Sequence, residues 1–257
     1  MADDVERETD RTLRLLWRRE LGAREGSRGP KQSSSVDDVV RAAIAIADAE
    51  GLDALSMRKV GDRLGLRVMS VYTYVANRAE LVSLMVDEVA GEEPMKPHRG
   101  ATRTRLRRVC QQLYDGYRRH PWLLQAESIR GNLGPNVVTR YEWQLAAIEG
   151  IGLDDISMDQ VITLIGGFAA GAAQMSIEVK RTQETSGLTD AEWWEINAPI
   201  LDRVMAGTSF PLAGRVGTAT GETYNAATDP DLSFRFGLDR ILDGVEFYIA
   251  QRSGTDR

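Results

Sequence analysis

The chain has 257 residues, 42% of them apolar and 27% charged, with 24 Gly and 8 Pro. That size can bury a core of its own, and the composition excludes collagen-like, mucin-like and wholly disordered chains. The net charge of −6, taken over the whole chain, counts against a nucleic-acid partner, while the single cysteine, Cys110, and the absence of a signal-like N-terminus lead us to expect a cytoplasmic protein without an internal disulfide.

Residues 5–21 are expected to form a short, highly charged helix with Leu13, Leu16, Trp17 and Leu21 on its apolar stripe. Residues 22–35, rich in Gly, Ser, Arg and Lys and holding Pro30, read as a flexible basic linker. Ser35, followed by Asp37 and Asp38, has the chemistry of a helix N-terminus, and Gly51 ends that helix. Ser56 can cap the next helix, which Gly65 ends. Helical spacing resumes from Arg67 to Thr73 with Val71 inward, and Asn77 starts a further helix through Leu81, Leu84, Met85 and Val89. A supporting helix, a Gly-containing turn and a second helix with a small inward residue form the pattern of a helix-turn-helix. Spacing alone suits a purely structural trihelical unit equally well.

Counted locally, the charge tells a different story. Residues 56–78 hold Arg58, Lys59, Arg63, Arg67 and Arg78 against Asp62 alone, whereas residues 121–257 carry ten basic and nineteen acidic side chains. The acidity therefore lies in the second half of the chain, away from the segment that would meet DNA.

Residues 42–89 contain the runs EGLDALS, RKVGDRLGL, SVYTYV and NRAEL. In these runs the segment closely resembles the N-terminal domain of the TetR family of one-component transcriptional regulators. Val71 and Arg78 are mild departures, standing where Leu and Lys are commoner. The resemblance implies an all-α homodimer. Its two recognition helices would read a palindromic operator, and its larger helical C-terminal domain would bind an inducer. We divide the chain accordingly into a charged extension and linker (1–35), a DNA-binding domain (36–91) and an effector-binding and dimerisation domain (92–257).

Pro94 and Pro97 mark the break between the two domains. Helices are then expected over 99–118, 122–129, 134–151, 157–184, 189–206 and 232–251, with residues 207–231 as a long mobile loop. Within 157–184 the weakly polar run 161–175 is interrupted by Thr163, Gly166, Gly167, Gly171 and Gln174, so it reads as a buried helix in preference to a membrane span. Its glycines suit close helix packing in a bundle or at a dimer seam. The arginines of residues 99–119 raise the possibility of a second nucleic-acid surface. Their helical spacing favours an amphipathic connecting helix with Leu106, Val109, Leu113 and Tyr117 inward.

Candidate residues follow. Operator reading is assigned to Arg67, Val68, Met69, Ser70, Tyr72, Thr73 and Tyr74. Arg67 is suited to guanine, and Met69 and Thr73 to thymine methyls. Ser56, Arg58, Tyr72, Tyr74 and Arg78 are assigned to phosphate. Trp122, Gln125, Trp143, Gln144, Phe168, Gln174, Met175 and Trp193 are candidates for the effector pocket. Val161, Leu164, Phe168, Ala172, Leu238, Ile241, Leu242, Val245 and Ile249 are candidates for the dimer interface. His98 and His120 read as solvated turn residues, and no metal or other cofactor is assigned. The expected function is a ligand-responsive repressor, with an activator or a helical adaptor as alternatives. No phosphate-cradling loop or catalytic triad pattern suggests an enzyme.

Overall fold

The computed structural model describes residues 2–22, 34–126, 131–206, 210–226 and 228–255. Among them the chain is all helical: α1 (Ala2–Leu16), α2 (Val36–Glu50), a 3-10 turn at Leu52–Ala54, α3 (Met57–Leu64), α4 (Val68–Val71), α5 (Arg78–Ala90), α6 (Thr102–Arg119), α7 (Leu123–Ala126), α8 (Pro135–Leu145), α9 (Asp155–Ser186), α10 (Asp190–Met205), α11 (Pro211–Tyr224) and α12 (Pro230–Thr255). The basic linker falls mostly outside the described residues.

Side-chain caps mark several of these starts. Ser35 and Asp38 form a reciprocal capping box at α2, and Ser56 and Asn77 accept backbone N–H groups at α3 and α5. α1 is docked against α5: Leu16 is buried, Trp17 donates its indole N–H to the Leu133 carbonyl at 2.8 Å, and Arg19 bonds Asp37 at 2.9 Å. Leu21, expected on the apolar stripe, is exposed.

The larger domain is built on α6, α9 and α12, which pack on one another. α6 buries Leu106, Val109, Cys110, Tyr114 and Tyr117. α9 is long and apolar enough by composition to cross a membrane, but its buried side, Val161, Ile162, Ile165, Ala169 and Ala173, joins the core of the bundle. The basic residues of α6 are largely engaged within the chain. Arg103 bonds Asp243, Glu246 and Asp239 at 2.8, 2.9 and 3.1 Å, and Arg119 bonds Glu93 at 2.6 Å.

Three expectations are corrected. Much of 207–231 is helix: Pro211 sits in the first turn of α11, where its missing N–H costs no bond, and Gly221 admits the Trp194 ring, which would lie 2.5 Å from a Cβ. His120 is buried, its Nδ1 2.7 Å from Asp48 and its Nε2 2.9 Å from Glu92, so it joins α2, α6 and the segment after α5. His98 is half-buried, stacked on Trp143 with ring centroids 4.4 Å apart.

Candidate functional site

The recognition segment is short and tightly held. Gly65 ends α3 in the left-handed region at φ 67°, a conformation that favours glycine. A Cβ on Gly61 would lie 2.9 Å from the Leu66 carbonyl oxygen, so this glycine lets the turn close against α3. Val71 and Val75 point into the core with no measurable exposure. That anchorage leaves Arg67, Val68, Met69, Tyr72 and Thr73 outward, with Arg58 and Ser56 exposed at the start of α3. Met69 is 71% exposed. Ser70 is half-buried, and its carbonyl accepts the Thr73 hydroxyl at 2.6 Å.

Two residues assigned to DNA have internal partners. The Arg78 guanidinium donates to the carbonyls of Leu52 at 2.6 Å and Leu55 at 3.2 Å, tying the start of α5 to the entry of α3. The Tyr74 ring is buried beside Val75 and acts in packing. Both follow from the fold: the position after a helix cap lies over the preceding turn, and a residue three after Val71 shares its inward face.

A cavity of about 450 Å³ opens between α5, α6, α7 and α8. Its wall is mainly aliphatic, from Val82, Val86 and Val89 of α5, Leu113 of α6, Leu123 of α7 and Val137 and Val138 of α8. Ser83, Tyr117, Asn132, Arg140, Tyr141 and Gln144 add polar groups. Of the eight residues expected at an effector site, Gln144 alone is in this wall. Trp122 is buried beneath it, giving its N–H to Asp48 at 2.7 Å. Trp143 bonds the Lys96 carbonyl at 2.8 Å and packs under His98 and Arg108. Phe168 stacks towards Phe234 and fills the space above Gly237. Gln125, Gln174, Met175 and Trp193 are exposed elsewhere. Trp122, Trp143 and Phe168 thus pack in or against the core, whereas Arg140, Tyr141 and Gln144 of α8 line the cavity beside Val137 and Val138.

The α5 and α8 walls cap each other. The Asp87 carboxylate on α5 accepts the backbone N–H groups of Asn136 at 2.9 Å and Val137 at 3.0 Å, at the N-terminus of α8. Arg140 on α8 donates to the carbonyls of Ala90 at 2.7 Å and Val89 at 3.1 Å, at the C-terminus of α5. Burial pushes the Asp87 carboxyl above its ordinary range, and the two amides pull it only partly back.

The residues expected at a dimer seam divide. Val161, Leu238, Leu242 and Val245 are buried in the chain's own core, and Phe168, Ala172, Ile241 and Ile249 pack against it. Leu164 is 51% exposed, on the side of α9 that also carries Ile156, Gly167, Gly171 and Met175. α12 exposes Phe236 and Phe247. The regular apolar stripe thus marks the intrachain face, and the outward face is a second one that glycines had disguised. Among the described residues no group of three His, Cys, Asp or Glu side chains is placed to hold a metal ion.

Residues 93–249 match the family model of the tetracyclin repressor-like C-terminal domain. The chain is 41% identical over 247 residues, 95% of its length and 88% of the relative's, to the HTH-type transcriptional repressor DrrR1 of Streptomyces coeruleorubidus. It is 29% identical to an HTH-type transcriptional regulator of Saccharopolyspora erythraea over 69% of this chain and 75% of that one. Among solved structures, the TetR family protein ActR of Streptomyces coelicolor in complex with actinorhodin superposes with a TM-score of 0.65 at 27% identity, covering 82% of this chain and 94% of that one. The chain therefore belongs to the TetR family, whose members are DNA-binding transcriptional regulators and not enzymes.

Proposed function

We propose that this protein is a homodimeric repressor that reads a palindromic operator and releases it when a small molecule fills the α5–α8 cavity. The observation that carries the reading is the double use of α5. Its start is tied to the helix-turn-helix through Arg78, and its other side lines the cavity. A ligand that alters the packing of α5 therefore bears on the placement of α4. Half-sites one turn apart need recognition helices about 34–36 Å apart, so a displacement of a few ångströms in a dimer spoils both sets of contacts. Repression is supported by the likeness to DrrR1, and a small-molecule effector by the solved complex of ActR with actinorhodin.

Arg67 is the base reader in this scheme. Arg58, the hydroxyl of Tyr72 and the N-terminus of α3 position phosphate. The exposed face of α9 and α12, with Leu164, Gly167, Gly171, Phe236 and Phe247, receives a second copy. Selection from a random duplex library tests the reading. It should recover a two-fold sequence, and Arg67→Ala and Tyr72→Ala should abolish its selective binding. Absence of sequence enrichment refutes operator reading. A compound that occupies the cavity without changing operator affinity refutes induction, because linkage requires the two ligands to oppose each other by about 1–3 kcal/mol.

A further inference from the structure

We infer that the protein has a second small-molecule site, for a compact diphosphate group, where the connector between its two domains lies against α6. A cavity of about 460 Å³ is lined there by Lys96, Pro97, His98 and Arg99 of the connector and by Thr104, Arg105 and Arg108 of α6. None of these residues lines the α5–α8 cavity, so the inference stands apart from the reading of that cavity. Among the described lining residues four are cations and none is a carboxylate.

The four cations have no carboxylate partner elsewhere among the described residues either. Arg105 donates its Nε to the Gly100 carbonyl at 3.0 Å, and Arg108 donates Nη1 to the Lys96 carbonyl at 3.2 Å while its guanidinium lies 5.3 Å from the centre of the Trp143 ring. Those contacts orient two half-buried guanidinium groups without neutralising them. Gathering like charges in one cavity is unfavourable until a counter-charge enters, and a fork already aimed loses little freedom in gripping it. α6 adds to the field, because it starts without a side-chain cap and Thr104 of its first turn is in the wall. His98 donates Nε2 to the Trp143 carbonyl at 2.8 Å, which leaves its buried Nδ1 an acceptor without a partner among the described residues. Four cations outnumber the charge of one carboxylate or sulfate and suit a diphosphate, and a diphosphate that retains a proton also supplies the donor His98 lacks. The wall holds no Phe, Tyr or Trp among its described residues, so a nucleobase finds little to stack on. Arg105 and Arg108 stand about 18–22 Å along α6 from His120, the end that bonds Asp48 of α2, which sets the site apart from the recognition segment. A diphosphate held from both sides ties the connector to α6.

Isothermal titration calorimetry of the full chain with pyrophosphate, sulfate and adenosine diphosphate, in buffer free of divalent cations, tests the site. We expect pyrophosphate to bind at least tenfold tighter than sulfate and about as tightly as adenosine diphosphate. The double variant Lys96→Gln/Arg99→Gln should weaken pyrophosphate binding at least tenfold. Both side chains are exposed, so circular dichroism should show an unaltered fold. Lys180→Gln, which removes an exposed cation of α9 outside the cavity, should leave binding unchanged. Hydrogen exchange across residues 96–105 should slow with pyrophosphate. No binding, equal affinity for sulfate, unchanged exchange, or a double variant that binds like the unaltered chain overturns the site. Equal losses in the double variant and in Lys180→Gln overturn it too, because net charge alone would then be at work. Adenosine diphosphate binding tenfold tighter than pyrophosphate overturns the diphosphate as the group that is read.

Discussion

The contact between Asp87 and the start of α8 allows a prediction in which charge and hydrogen bonding can be separated. Asp87→Ala removes the acceptor of two backbone N–H groups at 2.9 and 3.0 Å and leaves them buried against α5. Loss of a helix cap costs about 0.5–2 kcal/mol, and stranding buried donors, here the same two amides, about 1–3 kcal/mol, so we expect a loss of about 1–3 kcal/mol. For a chain of this size that lowers Tm by about 2–12 °C. Asp87→Asn keeps an oxygen for the same amides and removes the ionisation that burial opposes. Because the folded-state pKa is raised, the native protein binds the proton more tightly than the unfolded chain. The carboxylate's contribution is therefore most favourable below the unfolded value of about 3.9 and declines as pH rises through the raised folded value. Thermal unfolding followed by circular dichroism from acid to neutral pH should show Asp87→Asn gaining on the unaltered protein as pH rises, with Asp87→Ala below both throughout. Equal losses for Ala and Asn, or a gap between Asp and Asn that does not change with pH, would refute the assignment.

Gly61→Ala should weaken operator binding at least tenfold while helical content stays near normal, because its Cβ would lie 2.9 Å from the Leu66 carbonyl and force the turn off α3; unaltered binding by mobility shift would show that the turn tolerates the change. Burial pushes the Cys110 thiol up to about 12, so iodoacetamide at mildly alkaline pH should modify it only after unfolding in guanidinium, and labelling of the folded chain seen by mass spectrometry would contradict this. Gly171→Arg, at a position where a Cβ meets nothing within 4 Å, should shift sedimentation from dimer to monomer with helicity retained, and an undisturbed dimer would move the interface elsewhere. Operator affinity plotted against salt should lose about one unit of slope in Arg58→Ala and none in Arg107→Ala, since Arg107 is paired with Asp239; equal slopes in the two variants would place phosphate contacts on α6.

Much of the fold was legible because local chemistry and burial agree in the N-terminal half. Ser35, Ser56 and Asn77 announce helix starts, Gly51 and Gly65 announce ends, and Val71 identifies the inward side of α4. Legibility fell where one residue type serves several ends. Trp122 and Trp143 have the size and polar tip expected of a ligand wall, yet Asp48 and the Lys96 carbonyl hold them in the core. His120 follows a helix and precedes Pro121, a turn by every local sign, and it is partners distant in sequence, Asp48 from 72 residues away and Glu92 from 28, that meet its ring. α11 was hidden by its Gly and Thr content, which lowers helix propensity by about 1 kcal/mol per glycine without forbidding a helix. The sequence periodicity of α9 shows one apolar face, and on the second face Gly167 and Gly171 interrupt the spacing of Ile156, Leu164 and Met175.

The charge that first argued against nucleic acid now separates two kinds of arginine. Arg103 and Arg107 lie against Asp239, Asp243 and Glu246 of α12, and Arg119 against Glu93, so three arginines of the densest basic run are paired with carboxylates inside the acidic domain. No ion pair is formed among the described residues by Arg58, Arg63 or Arg67, which stand exposed on α3 and at the start of α4. An arginine without a carboxylate partner is free to exchange counterions for phosphate, whereas a paired one must first break its own bond. The acidic surplus of the larger domain thus does more than offset the reader's charge. It pairs Arg103, Arg107 and Arg119 and leaves Arg58, Arg63 and Arg67 of the helix-turn-helix segment without a carboxylate among the described residues, so that a duplex would meet attraction there.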